Sequence, residues 1–317
     1  MRCYQILLLP LVASFALLIA VAVAQQPSPL PADKSAPAPP ARQAAKADPQ
    51  GTKTLDEAIK QLDPKKLAWV QTTFWERADV QGLSFQAEGS YLSAPDHRLH
   101  LDLNVHMDDA KGKLEIVSDG TRLWEAMQLG QQPRFVRQKV ELAKVLESLN
   151  GNVEADKVRD EFFQAQLFAG IVPLLQSIQK RMIVTRQDKA RHNGKEATKL
   201  TAGWGPEISK AISTSDKPWP AFYARQCCIY LEPLGPEKIL WPQRFEWWGP
   251  APPRPGDSML LEIEFRDPKL NQPLSPERCA QEFKFEPGTG EIPDRTEQAV
   301  ESVKARAEQL VKQKKGR

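Results

Sequence analysis

Net charge is nearly absent from this chain: 43 Lys and Arg stand against 40 Asp and Glu. Removal of residues 1–24 would take away only Arg2. A dedicated nucleic-acid binder carries a marked basic excess, so nucleic acid is set aside as a partner. Catalytic signatures are missing as well. There is no Gly-x-Ser-x-Gly, no His-Glu-x-x-His and no phosphate-loop sequence. Cysteine is scarce: after Cys3 come only Cys227, Cys228 and Cys279. In an oxidising compartment that odd number leaves at least one thiol free or paired with another chain. Cys227 and Cys228 are neighbours on an expected strand, so their side chains point to opposite faces. A structural disulfide from either of them to Cys279, or inert thiols, are the alternatives. No Cys-x-x-Cys supports redox chemistry.

What is present begins with a targeting pattern. Arg2 precedes an apolar run from Ile6 to Val23, broken only by Pro10 and Ser14 and closed by Ala22-Val23-Ala24. This is the layout of a secretory signal peptide cleaved after residue 24. A retained membrane anchor is the alternative, since the run is nearly long enough to span a bilayer. Pro10 and the small-residue ending favour removal. No Cys follows the run where a lipid anchor would need one. The mature chain is therefore expected to be exported, in the periplasm or otherwise outside the cytoplasm. Residues 25–50 hold seven Pro and seven Ala and no aromatic residue. Such a stretch cannot bury enough apolar surface to offset its ordering entropy, so 25–52 is expected as an extended tether.

From there the period is two. Leu83, Phe85, Ala87, Gly89 and Tyr91 alternate with polar residues, and Leu99, Leu101, Leu103, Val105 and Met107 do the same. One face is buried and the other wet. Strands are expected at 67–77, 82–92, 97–107, 112–118, 121–127 and 134–138. Asp119-Gly120 marks a tight hairpin, and connections this short make an antiparallel meander. Before the strands, a helix from Thr54 carries Leu55, Ala58, Ile59 and Leu62, with Thr54 and Glu57 in the form of a capping box.

The period changes after Arg137. Val140, Leu142, Ala143, Leu146 and Leu149 fit one helix, closed by Asn150-Gly151. A second helical region from Ala155 to Met182 is the most apolar part of the mature chain. Gly170 and Pro173 break it into two pieces. It is too interrupted for a membrane span and too apolar for a helix with one exposed face, so it must lie against the sheet. Strands resume at 182–188, 195–202, 224–232, 238–248 and 258–266, with a last short one at Phe283 and Phe285. Residues 294–317 form an amphipathic basic helix, either packed on the domain or touching an anionic membrane surface or a membrane protein. The sum is an α+β domain built on a strongly curved antiparallel sheet.

Val117-Ser118-Asp119-Gly120 and Leu123-Trp124 within such a meander, apolar helices after it, and an ending in Phe283-Lys284-Phe285-Glu286-Pro287 resemble the LolA/LolB-like periplasmic lipoprotein-carrier superfamily. The resemblance covers about residues 54–293. Ala94-Pro95 stands where the family often has Arg-Pro, with Arg98 nearby. The resemblance implies an unclosed, strongly curved antiparallel β-barrel over 53–293, with helices plugging its concave hydrophobic face, and a hydrophobic cavity that takes the acyl chains of a lipid or lipoprotein. Phe85, Leu101, Leu103, Val105, Trp124, Phe163, Leu167, Phe168 and Ile171 are the candidate lining. A sensor or scaffold that binds a protein partner is the alternative on the same fold.

No catalytic constellation is apparent, and no cofactor is expected. His100, Asp102 and His106 share a strand face, but residues six apart on a strand are about 20 Å apart. The two histidines therefore cannot share one metal ion. Asp108-Asp109 is expected in a turn, and Glu262 and Glu264 on an exposed strand face. The chain is expected to act as a monomer. Exported protein should begin at Gln25; N-terminal sequencing of the secreted form checks this, and a chain retaining residue 6 onward would show a membrane anchor instead.

Overall fold

The computed structural model describes residues 46–315 apart from 64–65, 81–82, 132–133, 166–170, 214–218, 253, 255 and 289. The expected signal segment, most of the tether, Leu167 and Phe168 lie outside the described residues.

Eleven strands form one sheet. The first meander runs through β1 (Val70–Val80), β2 (Leu83–Ala94), β3 (Arg98–Met107), β4 (Ala110–Asp119), β5 (Arg122–Leu129) and β6 (Phe135–Glu141). The second runs through β7 (Met182–His192), β8 (Lys195–Trp204), β9 (Gln226–Leu234), β10 (Ile239–Pro250) and β11 (Asp257–Leu270). Every neighbouring pair is antiparallel, and the order is β6-β5-β4-β3-β2-β1-β11-β10-β9-β8-β7. The barrel is open: β6 and β7 are its two edges. A flat sheet of this size would be about 50 Å wide. Here Val140 of β6 and Val184 of β7 belong to one apolar cluster, so the edges curl toward a common core.

Between the two meanders the chain crosses the inner face as helices. These are α2 (Leu142–Glu147), α3 (Ala155–Ala165) and α4 (Ile171–Arg181), and α1 (Pro49–Gln61) precedes β1. The expected helix start at Thr54 moves to Pro49. Asp48 caps it by accepting from the Gln50 and Gly51 N–H groups at 3.0 and 3.1 Å. A capped start with Pro at the first helical position outcompetes the Thr54 signal. Thr54 instead sits inside the helix and donates to Gln187 Oε1 at 2.8 Å. α1 packs on β7, β10 and α4. The short α5 (Pro206–Ile212) follows β8.

The ending differs from expectation. Phe283 and Phe285 do not form a strand. The helix α6 (Pro276–Glu282), capped by Ser275, comes first, and both phenylalanines are then buried from irregular chain. Both sheet edges are already occupied, so these residues bury by lying on the outer surface. Phe285 stacks on Trp124 with centroids 5.4 Å apart. The last helix, α7 (Thr296–Lys315), packs on the domain through Ala299, Val303, Ala307 and Leu310. Arg306 also holds Glu161 of α3 through two hydrogen bonds.

Glu262 and Glu264 do face outward from β11, but they are buried rather than exposed, at 6% and 4%. Arg244 lies over them, with 2.8 Å to Glu262, 2.8 Å to Glu246 and 3.3 Å to Glu264. Arg266 reaches Glu264 from the other side. Alternation told the face correctly; it carries no information about long cations folding down over their neighbours.

The Ser118-Asp119-Gly120 stretch ties two hairpin turns together. Asp119 Oδ1 accepts from Thr121 N and Arg122 N, both at 2.7 Å. Ser118 Oγ donates to His97 O at 2.7 Å, in the neighbouring β2–β3 turn. Gly120 has φ +94°, and a Cβ there would sit 2.4 Å from Asp96 O. Gly120→Ala is expected to lower the urea midpoint by an amount worth roughly 1–3 kcal/mol. Gly151→Ala, at φ +76° with nothing within 4 Å of the added atom, should cost clearly less.

Candidate functional site

Pairing register fixes what faces inward. From β1, the residues Thr72, Phe74, Glu76 and Ala78 point to the same side as Phe85, Ala87 and Tyr91 of β2. That side continues through Leu101, Leu103 and Val105 of β3 and through Ile263 and Phe265 of β11. Phe85, Leu101, Leu103 and Val105 are all at most 5% exposed and share one cluster with Ile171, Leu174, Leu175 and Ile178 of α4. Five of the nine expected lining residues, Ile171 included, are thus brought together.

Trp124 is not with them. Leu123 follows the Gly120 hairpin inward, so its neighbour Trp124 points outward. There it packs in a separate cluster with Val117, Ala126, Val136 and Phe285, and Arg134 covers the Phe285 ring at 4.9 Å. Phe163 lies on α3.

The other expected candidates are outside the inner face. His100 lies between Glu282, at 3.5 Å, and Glu115, at 3.8 Å. Asp102 pairs with Lys113 at 3.0 Å. Arg98 donates to Pro95 O at 3.0 Å and sits 5.7 Å from each of the Trp69 and Phe283 rings. Among the described residues no group of three or more His, Cys, Asp and Glu is placed to hold a metal ion. The three described cysteines are free thiols. Burial pushes the Cys227 thiol well above its ordinary value, which removes its nucleophilicity at neutral pH.

The inner face contains a feature that alternation alone did not single out. Glu76 stands at the centre of the sheet, on its sixth strand of eleven. It is opposite Ala87 on one side and Ile263 on the other, and Phe74 and Ala78 flank it along the strand. It is 6% exposed and makes no hydrogen bond or ion pair among the described residues. Burial pushes its carboxyl up to about 8. The second inward carboxylate, Glu125 on β5, is treated differently: Arg137 at 2.6 Å and Gln138 at 3.0 Å satisfy it. On β10, Trp247 also faces inward, stacked on Phe245 with centroids 5.8 Å apart. Its indole N–H has no hydrogen-bond partner among the described residues. In the sequence, the only trace of Glu76 is a charge in the Phe74-x-Glu76-x-Ala78 register. Trp75 on the opposite register masks it.

Such a carboxyl makes stability depend on pH in a definite sense. In the unfolded chain Glu76 loses its proton near 4.5, whereas in the fold it keeps it to about 8. Stability therefore falls as pH rises between those values and is level on either side. Glu76→Leu should flatten that slope. It should be more stable than wild type by several kcal/mol at pH 8, with the difference shrinking toward pH 4. Urea unfolding across this range checks it.

No protein-family model matches this chain, and no curated protein sequence matches it. Solved structures it is similar to include LprF from Mycobacterium bovis, at 10% identity and a TM-score of 0.37, covering 72% of this chain and 96% of that one. MucB is similar at 9% identity and a TM-score of 0.35, over 73% of this chain and 62% of that one. A Vibrio parahaemolyticus domain named for outer membrane lipoprotein sorting is similar at 6% identity and a TM-score of 0.25. It is matched over 73% of this chain and 97% of that one. At these identities, ligand and partner are to be read from this chain's own residues.

Proposed function

We propose that this chain is an exported, non-catalytic carrier or binding protein for the acyl chains of a lipid or lipoprotein in the cell envelope. The observation that supports it most is the largely apolar inner face, covered not by a second sheet but by short separate helices. Acyl chains require only apolar volume, and each buried CH₂ contributes about 0.8 kcal/mol. In this structure that face is covered, so a chain enters by exchanging places with helix side chains. Such a swap replaces one apolar contact by another and demands little net energy, which suits a carrier that must also release.

In this reading Phe85, Leu101, Leu103, Val105 and Ile171 meet the ligand, and Phe163, Leu167 and Phe168 complete the proposed lining. Solvent extraction of purified residues 25–317, followed by mass spectrometry, is expected to give stoichiometric phospholipid or acylated peptide. Replacing Phe163, Leu167 and Phe168 together by Asp should abolish the recovered lipid. An empty wild-type extract, with no fluorescence gain from a hydrophobic probe, would overturn the reading and leave the protein-binding module as the function of this fold.

A further inference from the structure

Two polar groups on the inner face make no hydrogen bond among the described residues: the Trp247 indole N–H of β10, which is buried without a partner, and the Glu76 carboxyl of β1, on a residue 6% exposed with no charge or hydrogen bond acting on it. Register relates them. Glu76 is opposite Ile263, Ile263 is opposite Phe245, and Trp247 is the next inward residue after Phe245. Two strand spacings and one pleat repeat put their Cα atoms roughly 12 Å apart. Only Ile263, Phe245 and their apolar neighbours lie between. Native proteins rarely bury even one polar group unsatisfied, and each instance requires a cause.

The chemistry of the pair is specific. An indole N–H only donates. Glu76 has no cation beside it, so within the fold its carboxyl keeps a proton and has an O–H to donate. The face therefore offers two hydrogen-bond donors in apolar surroundings. We propose that Glu76 and Trp247 form a recognition site for the two ester carbonyls of a diacylglycerol-type ligand, one donor to each carbonyl. This rests on the acyl-binding reading above and narrows it. A lipophilic cation would leave the indole unsatisfied, a hydrocarbon would leave both groups so, and a fatty acid brings one carboxyl for two donors. A glycerol diester brings two acceptors already attached to the chains that the surrounding Phe, Leu and Ile side chains accept. Phospholipids and diacylglyceryl-modified peptides share this chemistry.

The test compares a short-chain phosphatidylglycerol with its dialkyl ether analogue, which has the same chains and headgroup but no carbonyls. A diacylglyceryl-cysteine peptide is titrated in parallel. Wild-type protein is expected to bind the ester about tenfold more tightly than the ether, the scale of two neutral hydrogen bonds. Glu76→Leu and Trp247→Phe should each reduce that preference severalfold while still binding the ether, and Glu76→Gln, whose amide still donates, should keep most of it. Whichever ester ligand binds more tightly names the source. Equal binding of ester and ether by wild type overturns this site and leaves the acyl container standing. Binding of none of the three overturns the container reading and this site with it. The wild-type comparison needs no variant to fold.

Discussion

The pairing of the first strand with the last holds the molecule together. β1 and β11 join two meanders of sequential hairpins, one on each side of the helical crossover, into a single sheet. Each meander is local and forms from neighbouring residues; the seam between them closes a loop of nearly the whole domain. Its register sets Phe74 against Phe265, whose rings meet edge to face at 5.6 Å. A slip of one residue would turn every inward side chain of one half outward. A bulge between Gln71 and Thr73 marks where the two twists are reconciled, and Thr72 there donates to Arg266 O at 2.6 Å. Everything discussed about the inner face presupposes this seam.

The two faces of the sheet handle polar groups in opposite ways. On the outer face, carboxylates are clustered and answered: Arg244 and Arg266 neutralise Glu246, Glu262 and Glu264, and His192 comes within 3.6 Å of Glu264. On the inner face, polar side chains are few and mostly satisfied, as with Glu125 by Arg137 and Trp241, whose indole donates to Phe265 O at 3.1 Å. Glu76 and Trp247 stand out against that economy. A sequence optimised only for stability would place Leu and Phe there. Departures of this kind are where function is most often found.

The strands were legible because period-two alternation and the Asp119-Gly120 turn are local signals. Nine of the eleven lie within three residues of the expected ranges, and β7 and β11 each run four residues past their expected ends. The apolar helices were legible from their spacing and from Pro173, which sits in the first turn of α4. What escaped depends on partners distant in sequence. The Trp124 assignment failed because two apolar neighbours, Leu123 and Trp124, cannot be told apart until the strand pairing is known. Phe283 and Phe285 alternate like a strand, yet alternation does not reveal whether a free edge exists to receive one. Leu167 and Phe168 fall outside the described residues, and their assignment to the ligand side stays with the proposal. The relation of Glu76 to Trp247 was invisible for the same reason as the seam: they are 171 positions apart and come onto one face only through β11.

An open sheet has two bare edges, and bare edges recruit other strands. Here the chain's own ends serve as stoppers. At one edge Asp48 N donates to Val184 O at 2.8 Å, just where the chain emerges into α1. At the other, Lys139 N donates to Pro293 O at 2.9 Å and Arg295 N to Lys139 O at 2.9 Å, just before α7 begins. The chain thus enters α1 at one rim of the half-barrel, and the C-terminal helix is anchored at the opposite rim. Each rim already has a backbone partner from its own chain, so a strand arriving from another molecule would first have to displace it.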